Sequence, residues 1–308
     1  MIIKQCHRIT LFFLSLYDKT PFILRMTHID ASYLRPLLLD RENDSHKGDY
    51  GHLLVVAGCQ TMPGAAVLAT GAALQSGCGL VTLHSTPRAL QAVVNNFPSA
   101  MLSEDPRKAF SRVPEPLDRY SAIAVGPGLG RDALTGVALH GLMTAAKASG
   151  IPMVVDADAL NLLSENPAWM ADIPAGSVLT PHLGELHRLV PYEKSHEEEA
   201  ARELVSMSGS VVVMKGFHTK VFLPEGACLV NTTGNPGLAK GGSGDVLTGL
   251  LGGLLARGYA APVAAALAVW LHGRTGDILT QERTAEAWSS KDLIDVLYKG
   301  FKELYDGK

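Results

Sequence analysis

The residues best suited to chemistry lie in one run, Asn231-Thr-Thr-Gly-Asn-Pro-Gly-Leu-Ala-Lys-Gly-Gly-Ser-Gly-Asp245, which passes directly into an apolar stretch over residues 246–256. Glycines let backbone N–H groups converge on an anion, and a helix amino terminus adds roughly half a positive charge. Gly241, Gly242, Ser243 and Gly244 therefore read as an anion hole for a phosphate or oxyanion. A carboxylate beside phosphate is repulsive unless it takes a proton from an attacking hydroxyl, which makes Asp245 the candidate catalytic base. The alternative is that Asp245 caps the helix and the glycines make only a tight turn. Four small residues ahead of the acid favour the chemical reading.

The elements that must position this run are legible in the periodicity. From His52 onward, short β-branched runs alternate with longer amphipathic stretches, the pattern of βαβ units around a mainly parallel sheet with helices on both faces. Strands are expected at 53–57, 80–84, 122–125, 152–156, 177–180 and 211–214, and a hairpin over 219–230 centred on Pro224-Glu225-Gly226. Helices are expected at 65–76, 133–148, 195–207, 245–256, 262–275 and 291–305. Glycine or polar clusters follow successive strands: Gly58 to Gly64, Gly126-Pro-Gly-Leu-Gly130, Asp156-Ala-Asp158, Thr180-Pro-His-Leu-Gly-Glu185 and Lys215-Gly216. In an open α/β sheet, ligands collect beyond the carboxyl ends of the strands, so these clusters are expected to form one site.

Several members of those clusters have two readings. Lys215 at a strand exit supplies a point charge, and Gly216 allows close backbone approach to phosphate; the alternative is a solvated lysine and a turn glycine. His182 is a ligand or an exposed imidazole. Glu185 assists magnesium through water or caps the following helix. Asp156 and Asp158 point the same way and serve a phosphate-bound metal, or only shape a loop. His272 and Asp277 lack metal-site spacing and are expected to pack or cap.

Composition narrows the function class. The chain has 308 residues, 47% hydrophobic, with a net charge of -3 from 27 basic and 30 acidic residues, which leaves no electrostatic footprint for nucleic acid or an anionic membrane. Cys6, Cys59, Cys78 and Cys228 lie far apart, without C-x-x-C spacing, so neither zinc nor a disulfide framework is indicated and a reducing cytoplasm fits. Near the amino terminus, Lys4 and Arg8 precede a short apolar run, but no small-x-small cleavage pattern follows. Residues 1–26 are expected to be an extension, disordered or not native, ahead of a single catalytic domain at 27–308 with Met26 as the natural start.

The Gly241-Gly-Ser-Gly-Asp245 stretch resembles the anion-hole and catalytic-Asp signature of the ribokinase-like superfamily, with Ser243 where Thr is usual. The blocks His46-Lys-Gly-Asp-Tyr-Gly-His52, Met62-Pro-Gly-Ala-Ala66, Ser76-Gly-Cys-Gly-Leu80, Gly126-Pro-Gly-Leu-Gly130, Asp156-Ala-Asp-Ala-Leu-Asn161 and Thr180-Pro-His-Leu-Gly-Glu185 resemble, in order, those of its NAD(P)H-hydrate dehydratase branch. The resemblance implies that Ala65, Gly128, His182 and Asp245 contact the hydrated nicotinamide nucleotide. It implies that Lys215, Gly216, Phe217, His218, Thr219 and Gly244 hold the adenine nucleotide. The implied reaction phosphorylates the 6-hydroxyl of the S-epimer and then eliminates phosphate, using ADP (or ATP) with Mg2+. The family further implies a homo-oligomer, a tetramer, working with a separate epimerase in the cytoplasm. A small-molecule kinase acting on a vitamin precursor, or a silent nucleotide sensor, are the competing readings.

A chain beginning at Met26 is expected to match the full chain in melting temperature and turnover. A loss of several degrees or of most activity would make the first residues a packed element.

Overall fold

The computed structural model describes residues 26–308, so residues 1–25 lie outside the described residues. The strands are Met26–Ile29 (β1), His52–Val56 (β2), Leu80–Ser85 (β3), Met101–Glu104 (β4), Ala122–Val125 (β5), Met153–Val155 (β6), Val178–Leu179 (β7), Val211–Met214 (β8), Lys220–Phe222 (β9) and Cys228–Asn231 (β10). They form a 10-stranded sheet in the order β1-β10-β9-β8-β7-β6-β5-β2-β3-β4. β9 runs antiparallel to β8 and β10, and the remaining pairs are parallel.

The strands expected from the sequence are present as β2, β3 and β5 to β8, and the expected hairpin as β9 and β10. The sequence reading lacks the edge strands. β4 is exposed at Met101, Leu102 and Glu104, and β1 buries only Ile29 fully. A strand with one neighbour and one wet face needs no continuous apolar run. β1 also begins at Met26, a residue that the sequence reading assigns to the extension.

The helices are Ala31–Leu34 (α1), Pro63–Leu74 (α2), Pro87–Asn96 (α3), Ala133–Ala148 (α4), Ala157–Glu165 (α5), Leu183–Leu189 (α6), Glu197–Ser208 (α7), Ser243–Ala256 (α8), Ala261–Glu282 (α9) and Ser290–Asp306 (α10). Along β2, Leu53 and Val55 join the core beneath α2, α8, α9 and α10, while Leu54 and Val56 join the core beneath α4, α5 and α7. That alternation is the period of two of a strand covered on both faces. Among the described residues, no helix is long and apolar enough to cross a membrane. Cys59, Cys78 and Cys228 are buried free thiols.

α8 is apolar on all sides because it is covered on all sides. Its residues from Val246 to Ala256 are buried without exception. Such enclosure requires backbone-to-backbone approach, and Gly249 supplies it: a Cβ there would stand 1.9 Å from the carbonyl oxygen of Ala69 on α2. This seating pushes the amino end of α8 into the crevice beyond the strand ends.

Gly249→Ala therefore has no rotamer that avoids the clash, and α8 must move away from α2. The variant should lose at least about 2 kcal/mol, read as a melting temperature lower by roughly 4–8 °C. Unchanged melting would contradict the packing described.

Candidate active site

The amino end of α8 is built by Gly242, the N-cap residue, at φ 89°. A side chain there would be strained by that backbone and would also meet Leu68 Cδ1 at 2.3 Å. Ser243, Gly244 and Asp245 then form the first helical turn, whose amides have few intrahelical acceptors. Asp245 is the third residue of that turn and not its cap. The capping reading of Asp245 is thereby set aside, since no cap hydrogen bond from its side chain is present.

Two cavities meet at this turn. One, of about 550 Å³, is lined by Ala65, Gly128, His182, Gly241, Gly242 and Asp245 among others. The other, of about 620 Å³, is lined by Lys215, Gly216, Phe217, His218, Thr219, Ser243 and Gly244, and again by His182. The residues expected to touch the hydrated nicotinamide thus share one cavity. Those expected to hold the adenine nucleotide share its neighbour, with the anion-hole residues between them.

A short ion pair stands at the junction. Lys215 Nζ donates to Asp156 Oδ1 at 2.6 Å and lies 3.7 Å from Glu185 Oε2, its side chain 18% exposed. Thr248, one turn along α8, donates its hydroxyl to Asp156 Oδ2 at 2.6 Å. The ammonium also stands beside the cradle, 3.5 Å from where a Cβ on Gly244 would lie, an ordinary contact distance. Burial works against the Lys215 charge, but Asp156 and Glu185 outweigh it and hold its pKa above the usual lysine value. The solvated-lysine reading does not hold.

Asp245 is half-buried. Burial, the Asp156 carboxylate and Asp158 push its pKa from 3.8 up to about 6, against the opposing pull of Lys215. That places a carboxylate where it can both take and release a proton near neutral pH.

The two acids of Asp156-Ala-Asp158 do not point the same way. Ala157 takes φ 51°, turning the chain out of β6 into α5. Asp156 faces Lys215 and Thr248, while Asp158 Oδ2 accepts from the Gly130 amide at 2.9 Å. Glu185 is a capping residue: its Oε2 accepts from the His182 amide at 2.8 Å. His182 completes the capping box, its Nδ1 accepting from the amides of Gly184 at 2.9 Å and Glu185 at 3.2 Å. With Nδ1 an acceptor, a neutral His182 carries its proton on Nε2.

His272 has a role that its spacing does not reveal. Its Nε2 lies 3.0 Å from Ser243 O and 3.1 Å from Ser243 Oγ, beneath the cradle. A carbonyl only accepts, so Nε2 bears the hydrogen and steadies the turn. Enclosure pushes this imidazole down to about 4. Asp277 accepts from the Gly234 amide and from Asn235 Nδ2, a structural role as expected.

A profile of the NAD(P)H-hydrate dehydratase family matches residues 53–299. The ADP-dependent (S)-NAD(P)H-hydrate dehydratase of Bacillus subtilis is 35% identical over 275 residues, covering 88% of this chain and 96% of that protein. The protein of the same name from Neisseria meningitidis is 39% identical over 249 residues, 78% of this chain and 81% of its own. A bifunctional NAD(P)H-hydrate repair enzyme from Moorella thermoacetica is 38% identical over 282 residues, 87% of this chain. The chain spans about half the length of that relative, 52%. The crystal structure of the ADP/ATP-dependent NAD(P)H-hydrate dehydratase from B. subtilis, co-crystallized with ATP/Mg2+, matches with a TM-score of 0.80 at 32% identity, covering 92% of this chain and 100% of that one. A ribokinase-like superfamily protein from Enterococcus faecalis matches with a TM-score of 0.78 at 26% identity, covering 93% and 99%. With the family profile matched over residues 53–299 and the Bacillus relative covered nearly whole, the chain has a ribokinase-like fold and belongs to the NAD(P)H-hydrate dehydratase family.

Proposed function

We propose that this protein dehydrates the S-epimer of NAD(P)H hydrate back to NAD(P)H at the expense of a nucleotide phosphoanhydride. The observation that carries the reading is Asp245, a half-buried carboxyl with its pKa raised to about 6, which lines one cavity from the first turn behind a glycine cradle while Ser243 and Gly244 of the same turn line the adjoining one. In the proposed sequence, Asp245 takes the proton of the 6-hydroxyl as that oxygen accepts the terminal phosphoryl group of the donor. First-turn amides of α8 and the Lys215 ammonium offset the charge of the phosphoryl group in transit. The ring nitrogen lone pair then expels phosphate with the C–O bond, and loss of a proton from C5 restores the double bond. ADP as donor leaves as AMP, a choice supported by the names of the Bacillus and Neisseria relatives.

Mg2+ belongs to the same proposal. Among the described residues, no group of three or more His, Cys, Asp or Glu is placed to hold a metal ion, and Asp156 is already engaged by Lys215 and Thr248. The residues fit an ion carried on the donor's phosphates, with Glu185 reached through water; when bound, it neutralises phosphate charge. Assembly into a homo-oligomer, a cytoplasmic location and a separate epimerase as partner complete the reading.

The direct test mixes chemically hydrated NADH with the protein and ADP or ATP. Recovery of the reduced-nicotinamide absorbance is expected, whereas a stable phosphorylated product would favour a kinase.

The base must be ionised to act, so kcat/KM should be level above pH ~7 and fall about tenfold per pH unit below ~6. Asp245→Asn should lower single-turnover rates by at least about 10²-fold. The stability sign is opposite. The folded carboxyl binds its proton more tightly than the unfolded one, so the ionised group costs stability fully above ~6, and the cost vanishes as pH falls to ~4. Asp245→Asn should therefore melt higher than the parent at pH 8, by up to about 3 kcal/mol of stability, with the difference gone near pH 4. A parent-like rate, or a lower melting temperature at pH 8, would remove Asp245 from this role.

Lys215→Ala leaves Asp156 as a nearly unpaired buried charge, so it should cost about 3 kcal/mol of stability besides weakening the adenine nucleotide. Lys215→Gln, still able to donate to Asp156, should separate the two effects. Nucleotide affinity about 10–100-fold lower is expected, with hydrate affinity nearly unchanged. Calorimetric titration with each ligand checks this, and parent-like nucleotide binding would overturn the assignment.

A further inference from the structure

The cavity that holds Asp245 is acidic. Asp158, Glu185 and Asp245 line it, and Arg188 is the only lysine or arginine among its lining residues. A dinucleotide with a pyrophosphate must be received against those carboxylates, so its charge requires a cation on the same wall. Arg188 stands in the last turn of α6, and its Nε donates to Asn161 Oδ1 at 2.9 Å. Asn161, on α5, lines the same cavity.

This hydrogen bond fixes the orientation of two groups at once. With Nε taken by Asn161, the guanidinium keeps Nη1 and Nη2, the planar fork that meets phosphate oxygens in pairs. With Oδ1 the accepting atom, the Asn161 amide keeps its NH2 as a further donor. The neighbouring carboxylates are committed elsewhere: Glu185 to the His182 amide and Asp158 to the Gly130 amide. Among the described residues no carboxylate forms an ion pair with Arg188, although the residue is exposed at the cavity wall.

We propose that Arg188, positioned by Asn161, binds a phosphate of the hydrated nicotinamide nucleotide and selects phosphate-bearing substrates over the bare riboside. This rests on the dehydratase reading of the site. A purely structural Arg188 would only tie α6 to α5.

The experiment compares kcat/KM for hydrated NADH with that for hydrated reduced nicotinamide riboside, which has the same ring and no phosphate. In Arg188→Gln and Arg188→Ala, the ratio of the two constants should fall about 10–100-fold, the range for losing a charge-assisted hydrogen bond; Arg188→Lys should recover part of it. A helix tie alone would lower both constants together, and an unmoved ratio overturns the proposal. Calorimetric titration with NADH, with AMP saturating the adjoining cavity, supplies a readout without turnover. Affinity should fall by a similar factor in Arg188→Gln, and equal affinity in variant and parent overturns the proposal. If the parent restores neither hydrate with ADP or ATP, the dehydratase reading fails, and the NADH titration then decides the role of Arg188 independently.

Discussion

The site depends on one buried ion pair, Lys215 with Asp156. It joins the exits of β8 and β6, and Thr248 ties α8 to the same carboxylate. Taking both charges out of water is costly, and their attraction offsets that cost only when the remaining lone pairs are satisfied. Here Thr248 satisfies one, and Glu185 stands near the ammonium as a second carboxylate. The arrangement is therefore specific: α8 cannot rotate or slide without leaving a buried acceptor unpaired.

The same pair bears on Asp245. Burial raises the pKa of its carboxyl most, Asp156 and Asp158 raise it further by repelling its negative charge, and Lys215 pulls it back, so the carboxyl settles at about 6. The burial and neighbouring carboxylates that make Asp245 a useful proton acceptor make the fold less stable than it could be. Strain of this kind is common at catalytic sites, where stability and activity oppose one another. The glycines of α8 are the complementary steric device. Gly242 and Gly249 allow contacts that any side chain would block, and so hold the cradle at the cavity junction.

Much of this was legible in the chain. The strands covered on both faces announce themselves as uninterrupted apolar runs, and the glycine run ending in Asp245 announces an anion site at a helix amino terminus, because both signals are local. β1 and β4 escaped because edge strands bury little, and the turn at Ala157 escaped because a single left-handed residue leaves no periodic trace. Glu185 and His182 cap one another across one helical turn, a relation that the sequence leaves open until the helix start is fixed.

What the sequence determined by itself is the class of fold, the order of the blocks and the cluster of small residues ahead of an acid, since each depends on neighbours a few positions away. What only the tertiary structure decided is which charges face one another. Asp156 is paired with Lys215 across 59 positions and with Thr248 across 92, His272 reaches Ser243 across 29, and Arg188 reaches Asn161 across 27. Electrostatic energy depends on distance in space and on exclusion of water. Neither quantity exists until the sheet has brought its strand ends together.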